Sequence, residues 1–80
     1  RGKASSSFDS YTTSGIYHIE STPSGGPGGS WDWSIMLVMH AGSLVEQLLI
    51  RGNTGGNNAK IAFRERSGST PSWQPWKVLS

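Results

Sequence analysis

Hydrophobic and polar residues alternate along several short segments of this chain, a pattern typical of strands in a sheet with one buried face. The clearest alternation spans residues 59–66, where Ile61 and Phe63 would lie on the apolar side. The other side would carry Lys60, Ala62, Arg64 and Arg66. We therefore predict a half-buried antiparallel strand in this segment.

Three further segments predict strands. Residues 16–20 are rich in β-forming side chains. Residues 35–40 are apolar on both sides, which indicates a central strand or one that is covered twice. Residues 73–79 would form a last short strand that closes the sheet.

Residues 44–51 fit two interpretations. Ser43 and Glu46 have the spacing of a helix capping box, and Leu44 and Leu48 lie at helical spacing. The segment is short, however, and it follows a predicted strand after a tight turn. We expect a strand here, paired with the preceding strand in a hairpin.

The remaining segments predict loops. Residues 1–7 are small and polar and indicate a linker that leads into a domain at 8–80. Residues 8–15 would form one helical turn or a loop. Clusters of glycine at 21–30 and 52–58 predict mobile loops that are candidate contact tips. The whole pattern predicts an all-β or mainly β fold, a small antiparallel sheet of about five strands with glycine-rich loops.

The composition makes a single small core marginal. The chain has 80 residues, of which 34% are hydrophobic and 11 are glycine, so it needs a disulfide, a metal or a partner chain. It has no cysteine, and His18 and His40 are too few for a zinc cage. We therefore expect a homo-oligomer without a cofactor or metal.

Charge and hydropathy argue against two classes of partner. A net charge of +2 with 15% charged residues lacks the dense basic stripe of nucleic-acid-binding proteins. The longest apolar run, residues 35–39, is far too short to cross a membrane, and no signal peptide is visible. We expect neither nucleic-acid binding nor membrane insertion.

Three segments, taken in order, resemble the pyocin-knob family of phage tail fibres and R-type pyocin fibres. The first is the sequence YTTSGIY at 11–17, and the second is the hydrophobic stretch at 33–50. The third is AKIAFRER at 59–66, followed by a W-x-x-W-K ending that consists of Trp73, Trp76 and Lys77. The resemblance covers about residues 8–79 and lies in the order and spacing of the three segments.

This resemblance implies a compact β knob that forms a homotrimer around a fibre axis. It places the chain near the distal end of a host-recognition fibre, and residues 1–7 would then lead in from the upstream fibre. The implied location is the virion and extracellular. The implied partner is a bacterial surface glycan or lipopolysaccharide.

Four tryptophans supply candidate sugar platforms, because an indole stacks on sugar C–H groups and its N–H donates a hydrogen bond. Trp31 and Trp33 are candidate glycan contacts. They are two residues apart, so in a strand they would share a face. That face is either an exposed sugar shelf or the lid of the core. We expect Trp73 and Trp76 in the core.

Lys60, Arg64 and Arg66 are the other candidate glycan contacts. On one face of a strand they would suit acidic sugars or lipopolysaccharide phosphates, which the arginine fork binds well. The alternatives are a solvated face, or ion pairs with Glu46 and Glu65 across a trimer interface.

Catalytic constellations are weak. A glycosidase needs two carboxyl groups held close together, one of them with a raised pKa. Asp32 between two tryptophans imitates this only faintly and fits a turn residue better. His18 and His40 fit satisfied core or interface groups. We expect no enzymatic activity.

Two functions therefore compete. The leading one is a distal knob that trimerises and contacts the bacterial surface by recognising a receptor glycan. The alternative is a structural knob that trimerises and spaces the fibre, with binding in a neighbouring domain. A more distant alternative is an accessory sugar-binding domain of a capsule depolymerase.

Overall fold

The computed structural model describes residues 2–3, 7–52, 59–67 and 70–79. Its strands are β1 (Gly2–Lys3), β2 (Gly15–Ile19), β3 (Ser34–Ala41), β4 (Leu44–Arg51), β5 (Lys60–Ser67), β6 (Thr70–Trp73) and β7 (Lys77–Leu79). A single turn of 3-10 helix, Phe8–Ser10, precedes β2, and the Ser7 side chain caps it. The mainly β prediction is confirmed.

The strands form one sheet in the order β1-β2-β3-β4-β5-β6, and β7 pairs with the same edge of β5 as β6 does. All neighbours are antiparallel except β1 and β2. Gly2 and Lys3 pair with β2, although they lie in the segment predicted as a linker.

The segment at 44–51 is a strand, as predicted, and forms a hairpin with β3. Ala41 lies opposite Leu44, so the turn consists of Gly42 and Ser43. Gly42 has a φ of +59°, a conformation that favours glycine and that tight hairpin turns require. The turn therefore selects the strand over the helix that the capping-box spacing allowed.

The predicted last strand at 73–79 contains only the end of β6, which begins earlier at Thr70, and the separate strand β7. β6 ends at Trp73 and β7 begins at Lys77, and Gln74 donates its backbone N–H to the carbonyl of Glu65 between them. Pro75 has no N–H to give to the ladder, which interrupts pairing with β5.

The core lies on one face of the sheet, here called the inner face. Seven of its buried residues come from the strands: Tyr17, Ile19, Met36, Val38, Val45, Leu49 and Ala62. Phe8 from the 3-10 helix and Trp31 from the loop before β3 cover them. The fold is thus one sheet covered on one side by a layer of loops.

The opposite face carries a continuous set of apolar side chains and is here called the open face. It consists of Ile16, Ile35, Leu37, Met39, Leu44, Leu48, Ile50, Ile61, Phe63 and Leu79. No element among the described residues covers it. The expected alternation in β5 is present, but the prediction of its buried side was wrong. Ala62 and Arg64 are buried, whereas Ile61 and Phe63 are exposed.

Candidate functional site

Arg64 anchors a polar network inside the core. It pairs across the ladder with Gln47, and its Nε donates a 2.8 Å hydrogen bond to the Gln47 side-chain oxygen. The Gln47 amide in turn donates to the carbonyls of Phe8 and Tyr11, at 2.7 and 2.9 Å. These contacts tie β5 and β4 to the segment before β2, which explains why an arginine is buried here.

Two tryptophans enclose the guanidinium of Arg64. It lies 4.1 Å from the ring centroid of Trp73 and 4.5 Å from that of Trp76. Its Nη2 lies 2.9 Å from a carboxylate oxygen of Asp9. Burial lowers the pKa of Arg64, and the Asp9 carboxylate opposes that shift. The site therefore holds a charged, stacked arginine whose carboxylate partner faces solvent.

An open groove of about 550 Å³ lies beside this arginine. It is lined by Asp9, Gly25, Gly26, Arg64, Arg66, Ser72 and Trp73. The residues come from the 3-10 helix, the 21–30 loop, β5 and β6. Arg66 lies opposite Trp73 in the ladder, with its guanidinium 5.9 Å from the indole centroid. We refer to this feature as the arginine groove.

The 21–30 loop, predicted as a mobile contact tip, is held against the core. Phe8 donates its backbone N–H to the Ser24 carbonyl, and Trp76 donates its indole N–H to the Gly25 carbonyl. Gly26 lies directly on the Phe8 ring, where an added Cβ would stand 2.8 Å from a ring carbon. The loop thus forms a wall of the arginine groove. The other predicted tip, 52–58, lies outside the described residues except for Gly52.

Trp31 and Trp33 do not form the shared shelf that strand spacing predicted. They precede β3, and Trp33 has a φ of +63°, which turns the two side chains apart. Trp31 is fully buried and donates its indole N–H to the Gly28 carbonyl. Trp33 is 60% exposed, with its ring 6.1 Å from that of His18. Trp33 therefore remains accessible to a ligand, whereas Trp31 belongs to the core.

A clamp between Thr22 and Asp32 holds both ends of this loop. The backbone N–H and the hydroxyl of Thr22 both donate to one carboxylate oxygen of Asp32. The same hydroxyl accepts a hydrogen bond from the backbone N–H of Trp31. The hydrogen bonds from Thr22 lower the pKa of Asp32. Asp32 is thus a turn residue, as its sequence context indicated.

The three candidate cations do not form one basic surface. Lys60 lies over the Trp31 ring, 4.2 Å from its centroid, and desolvation together with the charge of Arg51 lowers its pKa. Arg64 is buried among tryptophans, and Arg66 is half-buried in the arginine groove. Within one chain this strand face is neither fully solvated nor paired with Glu46 and Glu65; ion pairs between chains of a trimer stay a prediction. The two glutamates lie on the other side of the sheet.

Cross-strand pairing organises the open face into rows. Ile35, Ile50, Ile61 and Leu79 form one row, and Ile16, Leu37, Leu48 and Phe63 form the next. A third row brings Glu46 opposite Glu65. Burial and the hydrogen-bonded, like-charged Glu65 raise the pKa of Glu46.

Both histidines have nearby partners. The two ring nitrogens of His40 lie 2.9 and 3.2 Å from the carbonyls of Thr12 and Gly42, and His18 lies 3.6 Å from Glu20. Within the described ranges, no group of three or more metal-ligating side chains comes together. The described part of the chain also has no helix with the length and hydropathy to span a membrane.

Comparison with known proteins found no match among family models, curated proteins or solved structures.

The sequence reasoning named Arg64 and Arg66 but missed most of the arginine groove. Asp9, Gly25, Ser72 and Trp73 are separated by up to 64 positions, and only the folded chain brings them together. The open face left a clearer signal. Residues 35–40 are apolar on both sides of the strand, and packing against the inner face explains only one of these two sides.

Proposed function

We propose that this chain is a homotrimeric knob domain of a phage tail fibre, in which copies of the chain cover the open face. The observation that carries the proposal is the unpartnered apolar face of the sheet. The tail-fibre setting and the threefold symmetry are supported by the resemblance of residues 8–79 to pyocin knobs.

The open face has the composition of a core. Its first two rows contain only aliphatic side chains and one phenylalanine, and several of these are 38–60% exposed. Monomeric proteins rarely expose continuous apolar surface of this kind, which usually marks an interface. Burial of such side chains contributes about 25 cal/mol per Å². Covering the face would therefore add to the stability that so small a core provides by itself.

Copies of the same chain are the occupant that the face fits best. The charged or titratable residues that register places on it, His18, Glu46, Glu65 and Lys77, lie around the apolar rows. The apolar rows themselves carry no charged side chain with which a polar partner could pair. Permanent homomeric interfaces are the most hydrophobic class of protein interface. The two longer extents of the chain, 40 and 24 Å, are large enough for a face that gives the roughly 800 Å² of a standard interface.

Light scattering tests this proposal. We expect a molar mass three times the 8.6 kDa of one chain. Ile50→Lys places a charge in the centre of the open face and should give a one-chain mass with an unchanged circular dichroism spectrum. Ser43→Lys adds the same charge at the exposed hairpin turn and should remain trimeric. A one-chain mass for the wild type from micromolar to millimolar concentration would contradict the proposal.

Contact with the bacterial surface is the second part of the function expected from the resemblance. The arginine groove favours it, because this groove lies on the loop-covered side and stays open when the open face is covered. A structural knob without any ligand would not need such a groove.

A further inference from the structure

We propose that the arginine groove binds a sugar that carries an anionic group, either a carboxylate or a phosphate. The inference deepens the proposed surface contact and rests on it only for the source of the sugar. The seven described residues that line the groove belong to one chain, so we expect binding without assembly.

The dimensions of the groove suit a sugar. Its volume of about 550 Å³ lies within the range of small-molecule sites, roughly 300–1,000 Å³. Trp73 provides aromatic surface on one wall, and the exposed Ser72 provides a hydroxyl that can donate or accept. Gly25 and Gly26 form the facing wall without side chains. Aromatic surface beside polar hydrogen-bonding groups is the combination that a sugar ring requires.

The charge of the groove selects an anion. Arg64 and Arg66 carry two positive charges against the single carboxylate of Asp9. Asp9 already neutralises Arg64, so Arg66 supplies the excess charge. Hydrogen bonds between arginine and carboxylate or phosphate are stronger than neutral ones and are often bidentate. A neutral sugar could not form an ion pair with Arg66.

An unsatisfied donor lies at the same place. Arg64 is only 6% exposed, and its Nη2 has no hydrogen-bond acceptor in good alignment among the described residues, although Asp9 lies within ion-pair distance. Because Arg64 lines the groove, an acceptor bound there can complete its hydrogen bonds. This is a second reason for a ligand rich in oxygen atoms.

Titrations followed by the indole N–H signals in NMR spectra test the proposal. The probes are glucuronic acid and glucose 6-phosphate, with glucose and inorganic phosphate for comparison. We expect both acidic sugars to bind in the millimolar range, about tenfold more tightly than glucose or phosphate. The indole signals of Trp73 and Trp76 should move, and that of Trp33 should not. The acidic probe that binds more tightly shows whether the groove prefers a carboxylated or a phosphorylated sugar.

Three variants make the test specific. Arg66→Gln should remove the preference for acidic sugars over glucose. Ser72→Glu, at an exposed position on the rim, should abolish binding of acidic probes without disturbing the core. Lys77→Gln removes the same charge as Arg66→Gln but on the open-face side, and it should bind like the wild type.

Several results would overturn the inference. Glucose binding as tightly as glucuronic acid would exclude anion selection, and phosphate binding as tightly as glucose 6-phosphate would reveal a simple anion contact. Absence of shifts at Trp73 and Trp76 would exclude the groove. The Ile50→Lys variant distinguishes failure of the groove proposal from failure of the assembly proposal, because its one-chain form should still bind acidic sugars.

Discussion

Arg64 and Gln47 lie opposite each other in neighbouring strands, and the arginine Nε donates a 2.8 Å hydrogen bond to the glutamine oxygen inside the core. Because this pair is buried, the buried side of β5 is the opposite of the side that the sequence pattern predicted. A strand face that carries three basic residues is normally exposed to solvent. Here it is the inner face, because Gln47 accepts a hydrogen bond from the arginine and two tryptophans pack against its guanidinium.

We expect changes to this pair to be strongly destabilising. Gln47→Ala should lower the free energy of unfolding by about 2–4 kcal/mol, because it removes the acceptor of the buried Arg64 Nε and one donor to each of two backbone carbonyls. Gln47→Glu should also destabilise, although it adds a charge opposite to that of Arg64. The glutamate loses the amide donor to Phe8 and Tyr11.

Chemical denaturation of the two variants measures these effects. Arg64→Lys serves as the companion variant, since lysine keeps the charge but cannot stack as a planar fork between Trp73 and Trp76. A Gln47→Glu protein more stable than the wild type would show that charge pairing, and not the chain of hydrogen bonds, governs this site.

Gly26 is expected to tolerate no side chain. A Cβ at this position would stand 2.8 and 3.0 Å from two carbons of the buried Phe8 ring. Gly26→Ala should therefore destabilise the fold by about 1–3 kcal/mol through overpacking. Gly52→Ala is the matched control, because its Cβ would meet no atom within 4 Å. Thermal unfolding of both variants checks the prediction, and equal melting temperatures would disprove the close packing of the 21–30 loop.

The Thr22–Asp32 clamp should make stability depend on pH. Hydrogen bonds from Thr22 lower the pKa of Asp32 below its usual 3.8, so the folded state favours the ionised carboxylate. This stabilisation is present above pH 3.8 and is lost as the pH falls through that value towards the lowered pKa. Asp32→Asn should therefore reduce the melting temperature at neutral pH and should reduce it less in acid.

A double-mutant cycle with Thr22→Val identifies the source of that effect. The losses of stability in the two single variants should add up to more than the loss in the double variant, since each change removes one partner of the same side-chain hydrogen bond. Additive losses, or a difference between wild type and Asp32→Asn that stays constant with pH, would contradict the clamp.

Assembly through the open face should respond to pH in the opposite direction. Glu46 faces Met39 on one side and Glu65 on the other, and burial together with Glu65 raises its pKa above 4.5. Covering the open face in an assembly would desolvate this pair further, so protonation of Glu46 favours the assembled form. Assembly is then favoured while Glu46 is protonated and weakens as the pH rises through its raised pKa. We therefore expect tighter assembly in mild acid.

Glu46→Gln should strengthen assembly at neutral pH and flatten its pH dependence. Glu65→Gln should act in the same way, because either change leaves a single carboxylate in the row. Sedimentation across pH 4–7 measures the association of the wild type and both variants. If association is the same throughout that range in the wild type, the glutamate row lies outside the interface.

The sequence by itself determined five of the strands and the hairpin pairing of β3 with β4. The alternation at 59–66 and the apolar run at 35–40 identified β5 and β3, because the period of side-chain direction in a strand is a local property. Glycine at position 42 likewise determined the hairpin, since the turn conformation it permits involves only its own backbone. Pro75 was visible as well, but its division of the last strand was not predicted.

Only the tertiary structure decided which face of each strand is buried. Period-two alternation separates two faces without saying which one meets the core, and β3 and β4 carry apolar residues on both. The choice depends on what covers the sheet. Trp31 and Phe8, held by the Asp32 clamp and by Gln47, cover the side of Arg64. That contact between distant segments places the arginine inside and leaves the row of Ile35, Ile50 and Ile61 outside.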